Sequence, residues 1–216
     1  MSIEVKICGI TSLEDATASY SFGAKYLGFI LYEKSPRCIT IEKASDLIDE
    51  IQDLPVASVA VHVSPSQDSV VQIKKAGFDY FQFHFPLNSS IKIIEEWSEI
   101  VGKANLWLAP KIPPGIDFPE SLLEFADTFL IDAYSDDKFG GTGKSADWSR
   151  FSKFQKQYPE KKWILAGGMG PENISAAVTQ MKIETVDVNS AVESGPGVKD
   201  ESKIKKLFLC LQELEK

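Results

Sequence analysis

Histidine and cysteine are scarce in this sequence, with two histidines and three cysteines among 216 residues. Cys8, Cys38 and Cys210 lie far apart, with no CxxC and no Cys/His ligand spacing. That pattern excludes a disulfide framework and gives no reason to expect a structural zinc site. His62 and His84 stand on separate apolar segments without a third ligand, so they read as hydrogen-bonded core residues. Positive charge is also in short supply. With 23 Lys+Arg against 31 Asp+Glu the net charge is −8, which excludes a broad nucleic-acid or anionic-membrane surface. Any anionic ligand must be captured locally, by helix N-termini or isolated cations. No apolar run approaches transmembrane length, and MSIEVKICGI lacks a basic segment followed by an apolar run of signal length. The expectation is a cytoplasmic protein with free thiols.

What is present is the composition of an ordinary globular protein, 44% hydrophobic and 25% charged, long enough for one domain spanning 1–216. Short apolar runs rich in β-branched and aromatic residues predict strands over 4–10, 24–31, 56–63, 78–84, 105–112, 128–134, 162–168 and 184–190. Helical spacing follows them, as at 13–22, 41–51, 67–76, 89–98, 171–181 and 200–214, with Gly23, Gly77 and Gly102 placed as helix stops. Strict alternation of strand and helix implies parallel strands. Eight such units close into a (β/α)8 TIM barrel, with a doubly wound open sheet as the competitor.

Within these strands polar residues recur at every second position: Lys6 with Cys8, Gln82 with His84, Asp132 with Tyr134, and Asp187 with Asn189. Their neighbours Val5, Ile7, Ile131, Val186 and Val188 are apolar, so the polar set points into the barrel and ends at its C-terminal mouth, where such folds build active sites. Cys8 is either a small buried hydrophobe or, with Lys6 on the same face favouring thiolate, a base or nucleophile. Asp132 in an apolar strand needs a partner or a raised pKa, and its strand-end position favours a general acid. Arg37, behind Ser35-Pro36 in a long loop, reads from position alone as a solvated charge.

Two glycine-rich stretches suggest contact with an anion. Gly140-Gly141-Thr142-Gly143-Lys144-Ser145 is not a nucleotide P-loop, because Lys138 stands where that motif needs glycine, yet it permits close backbone approach. Gly167-Gly168, before Met169-Gly170 and with Pro171 expected in a first helical turn, can form a phosphate cup with the Asn189-Ser190-Ala191-Val192-Glu193 segment. Trp97, Trp107, Trp148 and Trp163 are expected as core or rim packing.

Taken in order, these segments resemble the phosphoribosylanthranilate isomerase family of tryptophan biosynthesis. The resemblance runs through Val5-Lys6-Ile7-Cys8-Gly9-Ile10-Thr11, Gly28-Phe29-Ile30 with Ser35-Pro36-Arg37, Phe81-Gln82-Phe83-His84 and Leu130-Ile131-Asp132-Ala133-Tyr134. It continues through the glycine stretch at 140–144 with Asp147-Trp148, Leu165-Ala166-Gly167-Gly168 with Pro171-Glu172-Asn173, and Val186-Asp187-Val188-Asn189-Ser190. It implies a (β/α)8 barrel and an Amadori rearrangement of N-(5-phosphoribosyl)anthranilate to 1-(2-carboxyphenylamino)-1-deoxyribulose 5-phosphate. Asp132 is implied as the acid that protonates the ribose ring oxygen, and Cys8 as the base that removes the C2 proton. Arg37 is implied at the anthranilate carboxylate, with His84 among the substrate-binding residues and the amides around Gly141, Gly167, Gly168, Ser190 and Ala191 at the phosphate. No metal or organic cofactor is implied, because the iminium is itself the electron sink. The implied partner is a small phosphorylated substrate, not nucleic acid or membrane, and the implied assembly is a monomer or homodimer.

Departures from the family pattern cluster around strands three to five. Phe85-Pro86 follows His84 where glycine is usual, His62 replaces a common phenylalanine, and Ala109-Pro110-Lys111-Ile112-Pro113-Pro114 is atypical. Two alternatives stand beside the isomerase. One is another phosphate-binding barrel such as an indole-glycerol-phosphate synthase-like lyase, whose Lys and Glu set is not matched; the other is a catalytically idle barrel serving as a scaffold.

Overall fold

The alternation of apolar runs and helical segments produces a closed parallel barrel in the computed structural model, which describes residues 3–133 and 148–214. Its strands are β1 (Glu4–Cys8), β2 (Tyr26–Ile30), β3 (Ala57–Val63), β4 (Tyr80–Pro86), β5 (Leu106–Lys111), β6 (Thr128–Ile131), β7 (Lys162–Leu165) and β8 (Thr185–Val188). Each pairs with the next, and β8 returns to β1, setting Lys6 beside Asp187. Around them lie α1 (Leu13–Phe22), α2 (Ile41–Glu50), α3 (Gln67–Lys75), α4 (Ile91–Val101), α5 (Trp148–Gln157), α6 (Ile174–Gln180) and α7 (Glu201–Glu213). A short antiparallel ribbon, β9 (Glu193–Gly195) with β10 (Val198–Lys199), separates β8 from α7. Among the described residues no helix is long and apolar enough to cross a membrane.

Local chemistry sets the helix ends. The side chains of Ser12, Thr40, Ser66 and Asp200 accept hydrogen bonds from N–H groups of the first turns of α1, α2, α3 and α7, each contributing about 1 kcal/mol. Gly23, Gly77 and Gly102 take positive φ where α1, α3 and α4 stop. Strand parity then divides the core in two. Outward residues such as Ile7, Leu27, Phe29, Phe83, Leu108, Phe129 and Val188 are fully buried between sheet and helices, each worth roughly 1.5–3 kcal/mol. Inward residues Cys8, Ile30, Val59, Val61, Trp107, Leu130, Ile164 and Ala166 fill the barrel.

Several boundaries differ from the sequence expectation. The expected sixth strand ends at Ile131 and not at 134, because the Asp132 carboxylate accepts the Ala133 N–H (2.7 Å) and turns it out of the ladder. Pro171 does not occupy the first helical turn. Asn173 accepts from Gly170 N–H (3.0 Å) and donates to the Gly168 carbonyl (2.9 Å), spending that stretch on a braced turn before α6 begins at Ile174. The fourth strand extends to Pro86, with Phe85 buried edge-on against Trp97 at 5.6 Å, so the departure after His84 adds packing on the α4 side. The helix over Trp148–Gln157 was not foreseen. Between β5 and β6 there is one 3-10 turn, and Phe118 covers the sheet there, 5.0 Å from Phe129 and 5.1 Å from Trp163. Tyr134, the 140–145 glycine stretch with Gly141, and Asp147 lie outside the described residues.

Candidate active site

Among the described residues the barrel closure creates the most buried charge. Lys6 is wholly enclosed, and its ammonium donates to Asp187 Oδ1 at 2.9 Å, across the β1–β8 seam. Both Lys6 Nζ and Cys8 Sγ lean over Gly28 on β2, where an added Cβ would stand 2.9 Å from each. Any side chain at 28 would therefore drive ammonium and thiol apart. Burial pushes the Cys8 thiol above its ordinary value, and the nearby Lys6 ammonium opposes that rise without cancelling it. The cation expected from the sequence to favour thiolate is present, but enclosure inside the barrel outweighs it and favours the thiol.

Asp132 sits just past β6 at the mouth. Burial raises its carboxyl to about 7, against the Ala133 N–H that favours the anion, with Asp187 adding to the rise. It therefore passes between carboxylic acid and carboxylate within the neutral range. Gly167 packs directly on this corner: its φ is +87°, and a Cβ there would stand 2.3 Å from Ala133 N and 2.8 Å from Asp132 Oδ1. Only glycine satisfies both the left-handed backbone and the contact.

The two glycine-bearing loops converge as the sequence suggested. A Cβ on Gly170 would stand 2.4 Å from the Ala191 methyl, so the turns after β7 and β8 are in van der Waals contact. The N–H groups of Gly167, Gly168, Ser190 and Ala191 donate to no backbone carbonyl among the described residues. Gly167, Gly168 and Ser190 line the cavity directly, whereas Ala191 packs behind Gly170.

Cys8, Asp132, Arg37 and His84 open into that same cavity of about 370 Å³ at the C-terminal strand ends. Arg37 is not the solvated charge its loop position suggested; its side chain is 13% exposed and paired with Glu193. Burial drives His84 down to about 4, so its ring is neutral, and Gln82 Nε2 meets its Nε2 at 2.9 Å. His62 reaches the rim, edge-on to Tyr32 at 5.8 Å. Glu193, expected in the phosphate cup, turns away to Arg37 and Lys199. Sequence reasoning gave no role to Lys199 or to Gln82, whose Oε1 is buried without a partner among the described residues. Only the inward parity of Gln82 could have flagged it.

A closed parallel barrel whose C-terminal mouth joins a carboxyl raised into the neutral range, a thiol and two converging glycine-bearing turns has the architecture of the (β/α)8 enzymes. The model of the N-(5'phosphoribosyl)anthranilate isomerase family matches residues 5–209, and the chain belongs to that family. It is 35% identical over 207 residues to N-(5'-phosphoribosyl)anthranilate isomerase of Zymomonas mobilis, covering 94% of this chain and 95% of the relative. Against the Aquifex aeolicus isomerase the identity is 34%, covering 95% and 97%. The Thermus thermophilus phosphoribosyl anthranilate isomerase structure superposes with a TM-score of 0.79 at 29% identity, covering 98% of this chain and all of that one. A similar isomerase, solved with reduced 1-(o-carboxyphenylamino)-1-deoxyribulose 5-phosphate, superposes with a TM-score of 0.75 at 27% identity, covering 98% and 99%. The activity of this chain is that of the family, isomerisation of phosphoribosylanthranilate in tryptophan biosynthesis.

Proposed function

We propose that Asp132 and Cys8 are the acid and base of this isomerisation, carried out by one barrel domain spanning residues 1–216. Asp132, protonated near neutrality, gives its proton to the ribose ring oxygen, and the C1–O bond opens to an iminium. Cys8, deprotonated in the reactive form, removes the C2 proton, and the electrons of that bond neutralise the iminium to an enolamine. Loss of the C2 hydroxyl proton and protonation of C1 give the ketone, returning both groups to their starting states. The iminium joins Lys6 in favouring the thiolate that burial disfavours. The observation that carries the reading is that Cys8 and Asp132 open into one cavity together with the Gly167-Gly168 amides.

Arg37 holds the anthranilate carboxylate in this reading, and Gln82 and His84 face the sugar. Arg37→Ala is expected to raise KM about tenfold or more while changing kcat less, since a carboxylate contact exists in both ground and transition states. Steady-state kinetics check it, and an unchanged KM removes Arg37 from the site.

In this reading the phosphate goes to the amides of Gly167, Gly168 and Ser190, near Ala191, and the family resemblance adds Gly141. Inorganic phosphate should shift the amide NMR signals of Gly167, Gly168 and Ser190 despite the net charge of −8, because amides act at contact distance while surface charge is screened over roughly 8 Å. Shifts confined to surface lysines would defeat the assignment. The ligand is a small phosphorylated molecule and the assembly a monomer or homodimer, as implied by the family. The free thiols of Cys8, Cys38 and Cys210 are compatible with a reducing cytoplasm.

A further inference from the structure

Behind Arg37, away from the cavity, lies a chain of buried charges that the reaction itself does not use. Arg37 Nε donates to Glu193 Oε1 and Oε2 (2.9 and 3.1 Å), and Nη2 donates to Oε2 at 2.6 Å. Glu193 Oε1 also receives Lys199 Nζ at 2.9 Å and the Gly197 N–H at 3.2 Å. Lys199 Nζ donates further to Asn189 Oδ1 at 3.1 Å. The side chains of Glu193 and Lys199 are 4% and 1% exposed, so neither is a solvated surface charge. Arg37 and Asn189 line the cavity; Glu193 and Lys199 do not.

This arrangement has two consequences. Arginine has a long side chain whose ordering costs entropy, and its Nε–Nη2 edge is a fork matched to a carboxylate. Glu193 occupies that edge, and the Nη1 end meets no acceptor among the described residues. An Arg–Glu pair alone would be neutral and attract a ligand carboxylate weakly. Lys199 offsets this: Arg37, Lys199 and Glu193 together carry one net positive charge, and the Asp15 carboxylate, which accepts the Lys199 backbone N–H at 3.2 Å, stands on the Lys199 and Glu193 side of the cluster.

We propose that Glu193, clamped by Lys199, is a positioning residue that orients Arg37 and sets the charge of the carboxylate subsite. The proposal rests on the reading that Arg37 holds the substrate carboxylate. The ribbon of β9 and β10 supplies both partners, Glu193 from its first strand and Lys199 from its second. It therefore bears on affinity for the carboxylate-bearing ring, and Lys199 also acts through space on Cys8, opposing the burial-driven rise of its thiol.

The test is a double-mutant cycle on the purified chain, reading kcat and KM for phosphoribosylanthranilate and inorganic phosphate binding by NMR. Glu193→Gln is expected to raise KM about tenfold with kcat within about threefold and phosphate binding unchanged. In the Arg37→Ala background it should add nothing further to KM. A KM unchanged by Glu193→Gln while Arg37→Ala raises it overturns the proposal alone, as does an effect that multiplies fully in the double variant. An unchanged KM in Arg37→Ala overturns the carboxylate reading and this inference with it. If Glu193→Gln does not fold, Lys199→Met tests the charge half by the same cycle. It should raise KM only where Arg37 is present, and a KM rise that persists without Arg37 rejects the proposal.

Discussion

Asp132→Asn lowers kcat by about 10²–10⁴-fold, the usual contribution of a positioned general acid. The amide matches the carboxylic acid in shape, and its oxygen still accepts the Ala133 N–H, so fold and phosphate binding remain. It has no proton to give the ring oxygen. A second readout separates this from a structural defect. The folded protein raises the Asp132 value from 3.8 to about 7, so it disfavours the charged form. The stability associated with that group is therefore complete below the unfolded value and is lost as pH rises through the folded one. Asparagine escapes the loss. Melting temperatures of variant and wild type should diverge as pH rises from about 4 to about 7, the variant becoming the more stable. A variant that turns over at the wild-type rate ends the acid assignment.

Cys8→Ser brings a loss of similar size, about 10²–10⁴-fold in kcat, because a serine hydroxyl is scarcely ionised where a thiol can be. Serine is nearly isosteric with this 3%-exposed cysteine and leaves the Lys6–Asp187 pair intact, so KM should move little. The wild-type pH profile is part of the same prediction. The reactive form needs protonated Asp132 together with deprotonated Cys8, while Asp132 titrates near 7 and Cys8 above the ordinary thiol value. The product of the two fractions rises up to about pH 7, holds level, and declines only at alkaline pH. Near wild-type turnover in Cys8→Ser removes the thiol from the mechanism. A rate that falls above neutral pH with no plateau contradicts the pairing.

The ring of eight strands was legible because strand and helix periodicities are properties of residues close in sequence. Parity along β1, β4 and β8 likewise places Lys6, Cys8, Gln82, His84 and Asp187 on the inward face. Strand ends were less legible. Whether residue 132 extends β6 or leaves it depends on which acceptor the Ala133 N–H meets, and a side-chain oxygen competed successfully with the neighbouring strand.

The sequence by itself determined the alternation that closes the barrel, the inward polar face, and the glycines that leave room for the Lys6 and Cys8 side chains at Gly28 and for the Asp132–Ala133 corner at Gly167. Tertiary structure alone decided the charges. Lys6 meets Asp187 across 181 positions, and Arg37 meets Glu193 across 156, so no local pattern could pair them. The same enclosure made Arg37 part of a buried network, raised Asp132 to about 7, and left Cys8 a thiol despite its cation. Side-chain type and spacing are written along the chain, but desolvation is set by what the remaining strands and loops place around a group once the barrel has closed.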